Sequence, residues 1–114
     1  MKFIDLNKEE LLNLIEPIMD NCLDGSNEGN HEKHTKDFTD RMKSIVTPEE
    51  LRRQLSTEPK TRFTKRKFIY LFRRRDAIGV VWKQSISSNK DELINQAIFK
   101  EIEGTILIDH CMIC

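Results

Sequence analysis

The feature of this sequence that most constrains its fold is a run of five apolar residues, residues 68–72 (FIYLF), with basic side chains on both sides. Three arginines and Asp76 end the run, and a second apolar stretch follows at residues 78–82 (IGVVW). Two such stretches separated by a short charged break predict a β-hairpin. Because the first stretch is apolar at every position and does not alternate, we expect its strand to be covered on both faces.

The length of 114 residues predicts one domain, residues 1–114, that can bury a core without disulfides. Three cysteines, Cys22, Cys111 and Cys114, are an odd number, which favours reduced thiols. The amino terminus carries no apolar signal segment, and no stretch approaches the roughly 18 apolar residues that span a bilayer. We therefore expect a cytoplasmic protein that does not enter a membrane.

Charge is balanced overall but unevenly spread along the chain. Residues 1–58 carry 8 basic and 13 acidic side chains, whereas residues 59–114 carry 11 and 6. The basic run, residues 60–75, is interleaved with aromatic residues, a composition that can bind nucleic acid. A strand divides that charge between two faces, and Arg73, Arg74 and Arg75 fall at the hairpin tip. We interpret them as a solvated basic surface and expect no nucleic-acid partner.

The first half of the chain predicts three helices, at about residues 8–24, 31–46 and 48–56. Asn7 and Glu10 have the spacing of a capping box, and an apolar stripe at helical spacing follows. Pro17 lies inside this helix, so a bend or break is expected there. The sharpest start signal is Thr47-Pro48-Glu49-Glu50, in which a capping residue precedes a proline with the backbone angle of a first turn.

The second half predicts four strands, at about residues 61–75, 77–86, 91–102 and 105–113. The third of these is ambiguous, because its apolar residues fit a helix as well as the two faces of a strand. Glu103-Gly104 has the composition of a two-residue hairpin turn, which requires a strand before it as well as after it. We therefore assign residues 91–102 to a strand. The fold class is α+β, with three N-terminal helices packed on a four-stranded antiparallel sheet.

Residues 34–54 (HTKDFTDRMKSIVTPEELRRQ) resemble a segment of the nuclear transport factor 2-like (ketosteroid isomerase- and SnoaL-like) superfamily through Asp37-Phe38, Met42-Lys43 and Thr47-Pro48-Glu49. The resemblance implies a curved sheet that forms a cone-shaped roll with a pocket inside. It also implies a homodimer that pairs through the outer face of the sheet, where we place Ile69 and Leu71.

The pocket of such a cone is expected to be lined by large apolar and aromatic side chains: Phe38, Met42, Tyr70, Trp82 and Phe99. Catalytic relatives in this superfamily place a carboxylate and a hydroxyl donor in an apolar cone. The candidates here are Asp109 and Tyr70, with His110 as a third, but none fits a catalytic motif. Because neighbours on a strand point to opposite faces, at most one of Asp109 and His110 can enter the cone.

Two further groups have partial metal-site spacing. His31, His34 and Asp37 are three residues apart at a helix start, and Cys111 and Cys114 form a CxxC pair at the chain end. Neither group has the remaining ligands, so no metal or cofactor is expected.

The sequence therefore predicts a protein that binds a small apolar ligand or a protein partner, with no assignable catalysis. An isomerase- or cyclase-like enzyme that uses a pocket carboxylate is one alternative. A protein-binding module, such as a toxin-immunity protein, is the other.

Overall fold

A computed structural model describes residues 2–56 and 61–114, so Lys60, the first residue of the basic run, lies outside the described residues. The α+β class is confirmed. A 3-10 helix, Phe3–Asp5, precedes the α-helices, which are α1 Lys8–Glu28, α2 His31–Thr35, α3 Asp40–Ile45 and α4 Pro48–Leu55. The strands are β1 Phe63–Arg73, β2 Ile78–Ile86, β3 Glu92–Ile102 and β4 Thr105–Ile113. Among the described helices, none has the length and apolar character needed to cross a membrane.

Helix α1 begins with the predicted capping box. The Glu10 amide donates to Asn7 Oδ1 at 2.8 Å, and the Asn7 amide donates to Glu10 Oε1 at 3.1 Å. The helix continues through Pro17 and ends at Gly29, whose φ of 68° is left-handed. It is therefore longer than predicted, because Gly25 lies inside it. A Cβ at Gly25 would lie 2.4 Å from the backbone nitrogen of His34, so this glycine permits α2 to pack against α1.

The predicted second helix, residues 31–46, is two helices. The backbone between them pairs with β4: the Ile108 amide donates to the Asp37 carbonyl at 2.7 Å, and the Thr39 amide donates to the Ile108 carbonyl at 3.0 Å. These bonds replace the ones a continuous helix would make. Thr39 then caps α3, since its side chain accepts from the Met42 amide.

Helix α4 begins as predicted, with Thr47 as its cap and Pro48 in its first turn. The Glu50 amide donates to Thr47 Oγ1 at 3.1 Å. The Glu50 carboxylate binds the Arg53 guanidinium and makes no reciprocal bond to the Thr47 amide, so this start is not a full capping box.

The four strands form an open antiparallel sheet in the order β1-β2-β3-β4. Residues 91–102, ambiguous in sequence, are strand, as predicted. The Glu103-Gly104 turn has φ of 53° and 79° at its two residues, the left-handed geometry of a tight hairpin turn. Helix α1 and the short helices lie on one face of this sheet, called here the inner face.

Three irregularities change which side chains face inward. The first lies near the start of β1, where Phe63 pairs with Ile86 and Arg66 with Gln84, so β1 has one extra residue between these pairs. In the β1–β2 register Phe68 pairs with Trp82 and Tyr70 with Val81, so Ile69 is an extra residue in β1. In the β3–β4 register, Asp109 is the extra residue between two pairs. Each bulge reverses the alternation beyond it.

The core lies between α1 and the inner face, and its largest fully buried side chains include Trp82, Phe99, Leu11 and Ile15. Trp82 and Phe99 meet edge to face at 6.4 Å. An ion pair crosses the same interface, joining the acidic first half of the chain to the basic second half. Arg66 on β1 binds Glu16 at 2.5 Å and Asp20 at 2.7 Å, both on α1.

Candidate functional site

A cavity of about 810 Å³ opens between the helices and the end of the sheet where β1 and β4 meet them. It lies beside the core, and its walls come from α1 to α4, β1 and β4. The residues at its wall form three groups: an apolar wall, two thiols with a histidine, and a polar rim.

The apolar wall has a helical side and a sheet side. Phe38, Met42 and Val46 form the helical side, and all three are buried within the chain. Phe63 at the start of β1 and Ile113 at the end of β4 form the sheet side. Such a wall favours contact with an apolar molecule.

His34 joins α2 to α1 at the cavity wall. Its Nδ1 donates to the Cys22 carbonyl at 2.7 Å and lies 3.5 Å from the Cys22 thiol. Burial lowers the pKa of His34 below its ordinary value, although the bond to the Cys22 carbonyl acts in the opposite direction. The imidazole is therefore neutral near pH 7, with its proton on Nδ1, so it cannot accept the thiol proton there.

Two thiols, Cys22 and Cys111, also lie at the wall. Burial raises the pKa of Cys22 well above its ordinary value and raises that of Cys111 to about 12. Both are thus protonated, and neither has the thiolate character of a nucleophile. Cys111 Sγ donates to Asn95 Oδ1 at 3.9 Å, and Asn95 Nδ2 donates to Gln84 Oε1 at 3.2 Å. The two amides are fully buried and satisfied by one another and by backbone carbonyls.

The rim of the cavity is polar and fixed by backbone bonds. Asn27 on α1 holds the start of β1 with two bonds, since its Nδ2 donates to the Phe63 carbonyl and its Oδ1 accepts from the Phe63 amide, both at 2.9 Å. The Arg62 amide donates to Ser87 Oγ at 2.9 Å. Arg62, Ser87 and Thr61 therefore form one edge of the opening.

The structure brings together two of the five residues predicted to line the pocket. Phe38 and Met42 lie at the cavity wall. Trp82 and Phe99 are fully buried in the core beside it. The expectation for Tyr70 is corrected: it is 59% exposed on the outer face, because the bulge at Ile69 turns it away from the helices.

The catalytic candidates are not brought together at this cavity. Asp109 lies in the β4 bulge, where it accepts from Thr39 Oγ1 at 2.9 Å and pairs with Arg41 and Lys100. Burial acts to raise its pKa, but these hydrogen bonds and charges hold it below the ordinary value. His110 pairs with Ile98 on the outer face of the sheet. An ionised carboxylate held by cations lacks the raised pKa that an apolar catalytic site requires.

The residues of the two groups with partial metal-site spacing do not come together either. His31 Nε2 donates to the Val46 carbonyl at 2.7 Å, so it joins α2 to the end of α3. In the part of the chain that the structure describes, no three His, Cys, Asp or Glu side chains are placed to hold a metal ion. Cys111 faces inward, whereas Cys114 is exposed, and both are free thiols.

The outer face of the sheet carries exposed apolar side chains. Ile69, Tyr70 and Phe72 on β1, Ile94 on β3 and Met112 on β4 are each between 48% and 59% exposed. The expectation for Leu71 is corrected, since it pairs with Val80 and packs against the core. The predicted basic tip is exposed, and Arg73 donates to the Ile4 carbonyl at 3.1 Å.

Sequence reasoning did not bring the polar members of the site together. Cys22 and His34 are 12 residues apart. Gly25, which lets α1 and α2 pack together, is typical of a helix end in the sequence. Arg62 belongs to a basic run whose composition points toward nucleic acid. The place of Cys22 in the apolar stripe of α1 predicts its buried position, but no sequence signal predicts its contact with His34.

Comparison of the chain with protein families finds no match, and comparison with curated proteins finds none. Among solved structures, it resembles the crystal structure of a domain of unknown function with a cystatin-like fold from Nostoc punctiforme. The TM-score is 0.70 at 11% sequence identity, over 95% of this chain and 78% of that chain. At this identity the likeness concerns the fold, which is therefore cystatin-like.

This neighbour corrects the resemblance inferred from residues 34–54. The expectation of a nuclear transport factor 2-like, SnoaL-like domain is wrong, because the matching structure is described as cystatin-like. The motif that suggested it has a local explanation. Thr47 and Pro48 start a helix, Phe38 is buried, and such features serve any fold that caps a helix beside a core.

Proposed function

We propose that this protein binds a small molecule in the cavity between its helices and the sheet. The observation that carries the proposal is the cavity itself. Its volume of about 810 Å³ lies within the roughly 300–1,000 Å³ range of small-molecule sites. Phe38, Met42 and Val46 offer an apolar wall there, and Asn27 holds the rim in place.

The neutral interior supports binding of an apolar group. Cys22 and Cys111 are protonated, and His34 is neutral near pH 7. A charged group placed against these side chains would lose its hydration without gaining a partner, which costs several kcal/mol. The body of the ligand is therefore expected to be uncharged where it contacts this wall.

The same geometry favours binding over the isomerase- or cyclase-like alternative. That alternative needs a carboxylate with a raised pKa in an apolar pocket. Asp109 has the opposite environment, and Tyr70 lies on the opposite face of the sheet. We therefore assign no reaction to the cavity.

We further propose that two copies pair through the outer face of the sheet. Two neighbouring cross-strand rows contain no Lys, Arg, Asp or Glu: Tyr70, Val81, Gln96 and Met112, and then Phe72, Gly79, Ile98 and His110. Loss of charged residues at the centre is typical of protein interfaces.

The exposed parts of the apolar side chains on this face amount to roughly 500 Å². That is at the upper end of what monomers expose and approaches the roughly 800 Å² that each partner buries in a standard interface. A second copy supplies a surface of the same size and chemistry. We favour it over a different protein, such as a toxin, for this reason.

The three free thiols support a reducing compartment, and we place the protein in the cytoplasm.

The binding proposal is tested with N-phenyl-1-naphthylamine, a neutral apolar dye that fluoresces when it leaves water. We expect saturable binding to the wild-type chain. Leu55→Trp and Ile113→Trp fill the cavity from opposite walls and should each weaken binding at least about tenfold. Leu14→Trp introduces the same ring at an exposed site on α1 and should leave binding unchanged. Circular dichroism verifies folding. Equal binding by all four proteins would contradict the proposal.

A further inference from the structure

Two charged side chains lie at the cavity, and among the described residues only one of them has an ion-pair partner. Among the described residues that line it, the ionised side chains are Glu28 and Arg62. Glu28 is matched by Lys33, whose Nζ lies 2.5 Å from its carboxylate. The Arg62 guanidinium has no side-chain or backbone acceptor within residues 2–56 and 61–114. Among the described residues, the rim therefore carries one positive charge without a matching carboxylate.

Hydroxyl donors lie on the same edge. Ser87 Oγ accepts from the Arg62 amide, and the Ser87 amide donates to the Arg62 carbonyl, each at 2.9 Å. These two bonds leave the hydroxyl hydrogen of Ser87 available. Thr61 Oγ1 accepts from Ser88 Oγ at 2.9 Å, so the Thr61 hydroxyl hydrogen is available too. Within residues 61–114 this edge thus presents hydroxyl donors and no unpaired carboxylate.

We propose that the ligand of this cavity is an amphipathic anion, with its apolar body against Met42 and Phe38 and its anionic group held by Arg62. This inference rests on the proposed binding function and adds the charge of the ligand. A planar guanidinium pairs with a carboxylate through two parallel bonds, and nearby hydroxyls can donate to the same group. Because Arg62 is exposed, the charged group keeps contact with water while the chain enters the cavity.

The test uses two competitors that differ in the head group. Octanoate and 1-octanol have the same chain, and each is titrated against N-phenyl-1-naphthylamine bound to the protein. The quantity compared is the ratio of the dissociation constant of octanol to that of octanoate. The variants are Arg62→Gln and Arg74→Gln, which remove the same charge at the rim and at the distant hairpin tip.

We expect the ratio to fall about tenfold in Arg62→Gln and to stay within about twofold of wild type in Arg74→Gln. Binding of the neutral dye should be unchanged in Arg74→Gln and should persist in Arg62→Gln. An unchanged ratio in Arg62→Gln, with the dye still bound, would overturn the anion inference and leave the cavity proposal standing. An equal fall in both variants would also overturn it, because net charge would then explain the effect. Failure of the dye to bind wild type would overturn both proposals.

Discussion

The indole Nε1 of Trp82 donates a hydrogen bond to Glu16 Oε2 at 3.1 Å, which ties the centre of the sheet to the middle of α1. The other oxygen of Glu16 accepts from Arg66 at 2.5 Å, and the Arg66 guanidinium lies 5.1 Å from the centre of the Trp82 ring. One carboxylate therefore accepts from the buried Trp82 and from the half-buried Arg66, which lie on different strands.

Replacing Glu16 by alanine, which removes the carboxylate, should destabilise the fold more than replacing it by glutamine, which removes only the charge. We expect Glu16→Ala to lower the free energy of unfolding by about 1–3 kcal/mol, because Trp82 and Arg66 both lose an acceptor. Glu16→Gln keeps an acceptor for one of them and should cost about half as much. Urea denaturation measures both. A double-mutant cycle with Arg66→Met should give a coupling above about 0.5 kcal/mol, and a coupling near zero would mean that the pair does not act together.

The second prediction concerns Gly25. The sign of the stability change on substitution shows whether α2 packs against this position. Alanine in a helix is about 1 kcal/mol more favourable than glycine, so Gly25→Ala would stabilise an unobstructed helix. Here the added Cβ would lie 2.4 Å from the His34 backbone, so we expect destabilisation of about 3 kcal/mol. Asn13→Ala, at an exposed position of the same helix, should be neutral or slightly stabilising. A more stable Gly25→Ala variant would show that α2 does not pack there.

These two sites illustrate what the sequence can and cannot predict. Strand and helix positions were predictable, because apolar period and capping residues such as Asn7 and Thr47 act locally. Contacts between residues far apart in the sequence were not predictable. The break in the predicted helix at residues 31–46 arises because Asp37 and Thr39 bond to Ile108, about 70 positions away, and no local signal encodes that pairing.

The faces of the strands were predictable only as far as the bulges. Strict alternation placed Leu71 outside and Tyr70 inside, and the extra residue at Ile69 exchanges them. The bulge at Asp109 similarly moves His110 to the face opposite Ile108. One extra residue in a strand reverses every later position, so the predicted pocket and interface lost members although the strands were right.

Stability should depend on pH through His34. Burial lowers the pKa of His34 in the folded protein below its ordinary value of 6.5, so the unfolded chain takes up the proton more readily. Stability should be full above pH 6.5 and decline as the pH falls through the folded-state pKa. We expect His34→Asn to remove this decline, while His110→Asn on the outer face retains it. Urea midpoints between pH 7.5 and 5 measure the effect. An unchanged pH profile in His34→Asn would contradict it.

The outer face should decide the oligomeric state. Light scattering during size exclusion is expected to give about twice the monomer mass of 13.5 kDa. Ile94 and Ile45 are each 54% exposed, but only Ile94 lies on the outer face. Ile94→Glu should therefore give a monomer, and Ile45→Glu should remain a dimer. A monomeric wild-type chain at about 100 µM would contradict pairing through this face.

Methyl NMR can locate a small molecule bound in the cavity. Met42, Val46 and Leu55 line the cavity, whereas Ile69 and Ile94 lie on the outer face. Titration with N-phenyl-1-naphthylamine is predicted to shift the methyl signals of the first group and to leave those of the second group in place. Shifts confined to Ile69 and Ile94, or no shifts at saturating dye, would contradict the account.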